Sequence, residues 1–180
     1  MALAEEKIYT IDDIYLLPDG ERAELIDGRI YYMAPPNTVH QRIVMKISTV
    51  IANYINANRG SCEVFQGPFA VFLGENDKNY VEPDISVICD SDKVNEKGCL
   101  GSPDWIVEVV SPSSRKMDYN KKLFKYRTAC VREYWIVDPG KKRILVYDFE
   151  NDDMGEFTFE DAIPVGIFSG LSIDMAEFKV

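Results

Sequence analysis

The sequence predicts an α/β fold in one domain over 1–180, with a mixed β-sheet flanked by helices. Three observations carry that expectation. Apolar β-prone runs are interspersed with segments of helical periodicity, and no repeat or linker divides them. The run DWIVEVVS at 104–111 is too apolar to leave a face in water, as befits a central strand covered on both sides. A chain of 180 residues, 46% of them hydrophobic, suits one compact domain with a sizeable core.

Taken in order, YTIDDIYLLP at 9–18 reads as a short amphipathic helix that ends at Pro18. ERAELIDGRIYYMA at 21–34 reads as a hairpin turning at Asp27-Gly28. Thr38 followed three residues later by Gln41 is a capping-box signature. Ile43, Ile47, Val50 and Tyr54 then recur at helical spacing, so a helix of about five turns runs to 58–60. CEVFQGPFAVFL at 62–73 gives two strands broken at Gly67-Pro68, and PDISVICD at 83–90 gives another. Residues 91–103 are polar and Gly-rich, hence a loop with room for one helical turn. After the strand at 104–111, Ser111-Pro112-Ser113-Ser114 caps a helix over 114–130. Strands at 133–139 and 143–150 form a hairpin across a GKK turn. Residues 148–161 hold seven acids and no Lys or Arg, which marks a solvated edge.

Composition removes several function classes. A net charge of −10 argues against a protein that coats nucleic acid nonspecifically, because such binding neutralises phosphates with Lys and Arg. His40 is the single histidine, which excludes His-rich zinc sites and most Ser-His-Asp arrangements. There is no P-loop, GxGxxG or GxSxG. The acidic N-terminus lacks a signal-peptide core, and no run approaches the roughly 18 apolar residues of a membrane helix. Cys62, Cys89, Cys99 and Cys130 stand apart with no CxxC pair, and read as reduced core thiols in a cytoplasmic protein.

Three charged residues occupy places that a purely structural chain would avoid. Asp84 opens the strand PDISVI, Glu108 lies in the middle of WIVEVV, and Lys122 sits on the helix that follows. Along a strand, Ile106, Glu108 and Val110 share one face. If Asp84 lies on a neighbouring strand and the same face, two carboxylates converge, and each is costly to bury unpaired. Mg²⁺ (or Mn²⁺) resolves that conflict, since it is held by one or two carboxylates and keeps waters for substrate phosphate. Lys122 would reach back to orient a water or stabilise negative charge. The competing reading is a structural ion pair.

Asp118, Lys122 and Lys125 are expected on one helix face, with Tyr119, Leu123, Tyr126 and Cys130 as the apolar stripe beside it. Tyr126 reads as core and Glu82 as solvated. Glu24 alternates with Ile26 and is an accessory candidate for the site. His40, on the apolar stripe of its helix, is either a packing residue or a second accessory. The segment SSRKMDYNKKLFKYR at 113–127 carries six Lys or Arg against one Asp, a local reversal of sign. It is either a solvated helix face or, through Arg115, Lys116, Lys121 and Lys125, a contact surface for a nucleic-acid backbone.

Asp84 in PDISVI, Glu108 in VEVVSPSS, Asp118 and Lys122 in DYNKKLFKYR, and the run EYWIVDP together resemble the Uma-two family of restriction-endonuclease-like proteins. ELIDGRIYYMAPP and HQRIV match its N-terminal pattern, so the resemblance spans about 9–175. It implies the PD-(D/E)XK nuclease superfamily, a restriction-endonuclease-like mixed sheet flanked by helices, and Mg²⁺-dependent phosphodiester hydrolysis. It further implies that Asp84 and Glu108 bind metal, with the Val109 carbonyl as an extra ligand. Val110 stands where the superfamily lysine is expected, and Lys122 matches a variant in which that lysine has moved to the following helix. Glu24, His40 and Asp118 match recurring positions. Nucleic acid, DNA foremost, is the implied partner, with a homodimer where both strands of a duplex are cut. The alternatives are a nuclease-fold binding or regulatory module without turnover and, more weakly, a hydrolase of small phosphorylated substrates.

Overall fold

A computed structural model describes residues 7–74 and 76–178. Helix α1 (Ile11–Tyr15) begins where the Thr10 backbone N–H donates to Asp13 Oδ2 at 2.8 Å. Strands β1 (Ala23–Ile26) and β2 (Arg29–Tyr32) form the expected hairpin. Asp27 and Gly28 both take positive φ, 51° and 74°, which two-residue hairpin turns of the right twist require.

Helix α2 (Thr38–Ala57) has the expected length, but its cap is one residue earlier than the sequence suggests. The Asn37 side chain accepts from the His40 N–H at 2.9 Å, so Asn37 and not Thr38 closes the helix start. The remaining strands are β3 (Glu63–Gln66), β4 (Val71–Phe72), β5 (Tyr80–Val81), β6 (Ile85–Ile88), β7 (Val94–Asn95), β8 (Gly98–Leu100), β9 (Trp105–Val109), β10 (Glu133–Asp138), β11 (Arg143–Asp148), β12 (Asp153–Thr158), β13 (Ala162–Pro164) and β14 (Ser172–Asp174). Between β9 and β10, a π-type segment Met117–Lys122 runs directly into α3 (Leu123–Thr128).

The fold is α/β, but the expected mixed sheet is two six-stranded mixed sheets. The central one has the order β12-β11-β10-β9-β6-β3, with β9 and β10 parallel. The other has the order β2-β1-β5-β4-β8-β7, with β4 and β8 parallel. The break at Gly67-Pro68 is where the chain leaves the first sheet for the second. The segment 91–103, expected as a loop, contributes the short hairpin β7–β8. The acidic β12 lies at an edge with mostly exposed side chains, as expected.

Both faces of the central sheet are covered. Ile43, Val44, Ile47, Ile51 and Ile55 of α2 pack on one face, against Trp105, Val107, Val109 and Trp135. On the other face, Ile106, Tyr134 and Ile136 meet Ile26, Val71 and Val81 of the second sheet, together with Tyr126 of α3. The lost apolar exposure of β9, buried at every position, is the reason its sequence shows no alternation.

The cysteine reading needs correction. Cys62 and Cys89 form a disulfide, while Cys99 is free and buried and Cys130 is free and exposed. The register explains the bond: Glu63 pairs with Ile88, so Cys62 and Cys89 come abreast just beyond the ends of β3 and β6. A spacing of 27 residues carries no trace of that juxtaposition.

Candidate active site

Side chains alternate along β9, so Trp105, Val107 and Val109 face α2 while Ile106 and Glu108 face α3. Glu108 is thereby 4% exposed. Its Oε1 accepts from Lys122 Nζ at 2.9 Å and from Tyr126 Oη at 2.6 Å. Lys122 Nζ also lies 2.8 Å from Glu24 Oε1 and 3.9 Å from Asp118 Oδ1. Glu24 arrives from β1, where Tyr31 of β2 stands opposite it. Its Oε1 also accepts from the Glu82 N–H at 3.0 Å.

The helix faces differ from those expected. Asp118, Lys122 and Tyr126, four residues apart, are the buried side chains of the π–α3 segment. Lys125 instead turns outward and pairs with Asp27, and Cys130 is exposed. A π-type turn closes its hydrogen bonds one residue later than an α-turn, which lets positions four apart stack along one line. Tyr126 is therefore both core and a direct partner of Glu108, a role that its spacing from Lys122 signals once the wide turn is known.

Asp84 immediately precedes β6. Ile85 pairs with Val107, and one further step of that antiparallel register brings Asp84 abreast of Glu108. Asp84 Oδ2 accepts from the Val109 N–H at 2.7 Å and contacts His40 Nε2 at 3.0 Å. His40 thus belongs to the site, delivered by the first turn of α2. Its Nδ1 is buried with no hydrogen-bond partner among the described residues.

Glu82, expected in solvent, is buried at 9% exposure. It pairs with Arg22 and accepts from Tyr80 Oη at 2.6 Å. Arg22 lies 60 residues away in sequence, so no local signal announces the pair.

The electrostatics of the cluster are one-sided. Glu24, Glu108 and Asp118 surround one ammonium, with Asp84 close enough to act on Glu108. Four carboxylates against one ammonium leave three formal negative charges uncompensated. Burial pushes the Glu108 carboxyl well up, Lys122 opposes this, and Asp84, Asp118 and Glu24 add to it. Burial likewise pushes Asp118 up to about 6, against the pull of Lys122. Burial alone would lower Lys122, but Glu108, Glu24 and Asp118 outweigh it and hold the ammonium charged.

Among the described residues no three His, Cys, Asp or Glu side chains converge to form a cage for a metal ion. The donors that are present suit a different kind of ion. Asp84 and Glu108 each have one oxygen fixed by two donors. No hydrogen bond among the described residues reaches Asp84 Oδ1 or Glu108 Oε2. Mg²⁺ and Mn²⁺ favour oxygen ligands, and Mg²⁺ keeps several waters beside one or two carboxylates. The excess negative charge fits a divalent cation, and the ligand types do not fit structural zinc.

The four cations of the basic segment do not form one free surface. Arg115 reaches the fully buried Asp138, with two hydrogen bonds of 3.2 Å. Lys121 hydrogen-bonds Tyr31 Oη, and Lys125 pairs with Asp27. Lys116 is exposed.

Comparison with known proteins gives the family and the fold. The model of the Uma2 family, described as "Putative restriction endonuclease", matches residues 10–176. The chain is 31% identical over 134 residues to the Synechocystis (strain PCC 6803) protein slr1290, covering 74% of this chain and 68% of that one. It is 28% identical over 158 residues to sll1609 of the same organism, covering 84% and 87%. A crystal structure titled as a putative nuclease belonging to DUF820, from Anabaena variabilis, superposes with a TM-score of 0.77. That match covers 94% of this chain and 96% of the other at 23% identity, and so establishes likeness of fold.

Proposed function

The chain belongs to the Uma2 family of putative restriction endonucleases, and from that premise we propose that it is a divalent-metal-dependent endonuclease hydrolysing nucleic-acid phosphodiester bonds, with DNA as the expected substrate. The observation that carries this reading is the carboxylate pair. Asp84 and Glu108 stand side by side, each with one oxygen tied down and the other open, next to a buried ammonium.

In this reading Asp84, Glu108 and the Val109 carbonyl hold Mg²⁺ or Mn²⁺. Such an ion, when bound, polarises the scissile phosphate and makes an attacking water more acidic. His40 and the Val109 N–H orient Asp84 through Oδ2. Tyr126 and Lys122 orient Glu108 through Oε1, and Glu24 and Asp118 keep the Lys122 ammonium in place and charged. Lys122 is 4% exposed, which favours holding Glu108 ionised over direct contact with bulk water. Its positive field also favours negative charge developing on the phosphate.

Plasmid nicking in millimolar Mn²⁺ tests the proposal, with Asp84→Asn as the comparison. Wild type should nick and the variant should not, while both give the same far-UV circular dichroism. Equal nicking by both would sink the assignment. A binding module without turnover is the second reading, favoured by the absence of a convergent group of three His, Cys, Asp or Glu side chains among the described residues. Nucleic-acid binding by wild type with no nicking in either Mg²⁺ or Mn²⁺ would select it.

A further inference from the structure

A groove of about 450 Å³ opens beside the candidate active site, between the β1–β2 hairpin and the π–α3 segment. Ile26, Arg29 and Tyr31 form its hairpin wall, and Asn120, Lys121 and Phe124 form its helical wall. We propose that this groove takes an unpaired stretch of the nucleic-acid strand, with bases stacking on Phe124 and Tyr31 and Lys121 and Lys125 attending the backbone. The inference rests on the nucleic-acid reading of the neighbouring site and names the form of substrate that reaches it.

Continuity with the site is the first support. Tyr31 stands directly opposite Glu24 in the hairpin register, and Glu24 bonds Lys122. Lys121, on the groove wall, is the next residue in the chain to Lys122. Side chains two apart share a strand face, so Ile26 continues the row that Glu24 begins. The groove and the carboxylate cluster thus share the β1–β2 hairpin and the π–α3 segment as walls.

Chemistry is the second support. Phe124 leaves 67% of its surface in water, on the wall of the groove. Lys121 Nζ lies 4.6 Å from the centroid of the Tyr31 ring. A lysine at the hydroxyl end of a half-exposed tyrosine, beside an exposed phenyl ring, combines the cation and the aromatic surface that single-strand binders use, because every base offers a π-face. The acid on this rim, Asp27, is engaged by Lys125. With that acid paired, Lys121 on the groove wall is placed to meet phosphate although the chain as a whole carries −10. A duplex offers no free base faces to these rings.

The test is fluorescence anisotropy of a labelled oligothymidylate and of a duplex of equal length, in EDTA so that nothing is cut. Phe124→Ala should weaken single-strand binding by about fivefold or more, Phe124→Tyr should retain it, and duplex binding should stay level. Lys121→Ala should flatten the salt dependence of single-strand binding by about one ion. Thermal melts of the variants confirm that the fold is intact. No single-strand binding, no effect of Phe124→Ala, or equal losses on single strands and duplex would each overturn the groove assignment. Those results would leave Asp84-dependent nicking unaffected. Conversely, Phe124-dependent binding without nicking would uphold the groove and remove the nuclease.

Discussion

Two helical segments cover opposite faces of one sheet and are held there by different forces. Helix α2 buries five aliphatic side chains, Ile43, Val44, Ile47, Ile51 and Ile55, and its start is closed by Asn37. The π–α3 segment buries Asp118, Lys122 and Tyr126, all able to hydrogen-bond and two of them charged. Apolar contact is non-directional and indifferent to pH, whereas a buried ionic cluster is directional and answers to protons and cations. The comparison teaches where each property is needed. The face under α2 is chiefly scaffold, with His40 of its first turn reaching Asp84, and the face under α3 gathers the charged groups.

The sharpest way to break this contrast is Lys122→Ala. Removing the cation leaves Glu24, Glu108 and Asp118 facing one another, and a loss of about 3–5 kcal/mol is expected in urea unfolding. The loss should shrink at acid pH as the carboxylates take up protons. A loss below about 1 kcal/mol at neutral pH would show that the cluster is not a buried ionic unit. On the other face, Ile47→Ala should cost about 2–5 kcal/mol, by the same amount at acid and neutral pH.

Asp118→Asn should act in the opposite direction. The Asp118 pKa is raised from 3.8 to about 6, so between those values the folded protein keeps a proton that the unfolded chain has shed. This group therefore lowers stability as pH rises through that window, and its full penalty is present above about 6. The variant should be more stable at neutral pH by roughly 1–3 kcal/mol and should lose that part of the pH dependence, as read by melts across the window. Millimolar Mg²⁺ should also raise the wild-type melting temperature and leave Asp84→Ala unmoved. The smallest effect belongs to α2: Asn37→Ala should cost about 1 kcal/mol, without any change in metal response.

Much of this contrast is legible in the sequence. The Asp27-Gly28 hairpin, the periodicity of α2 and the all-apolar neighbours of Glu108 each reflect local rules of turns, faces and burial. Asp84, Glu108 and Lys122 stand out because their charge conflicts with their surroundings. What escapes reading depends on long-range pairing. Strands such as β4 and β5 have two residues each, too few to show a pattern, so the second sheet is hidden. The Cys62–Cys89 bond follows from register, and the burial of Glu82 follows from an arginine at the other end of the hairpin region. Tyr126 is core as its sequence position suggests, but its bond to Glu108 needs a π-type segment that composition does not announce.

The carboxylate cluster draws on β1, the approach to β6, the middle of β9 and the π–α3 segment. A chain emerging from synthesis therefore carries its acids long before it carries a site. Glu24 and Asp84 have nothing to converge on until β9 is threaded between β6 and β10, which places a requirement on residues as late as Asp138. Contacts separated by so much sequence carry a loop-closure cost that slows folding. Half-made or partly unfolded copies hold Glu24, Asp84 and Glu108 apart, so the cluster exists only once these strands have assembled.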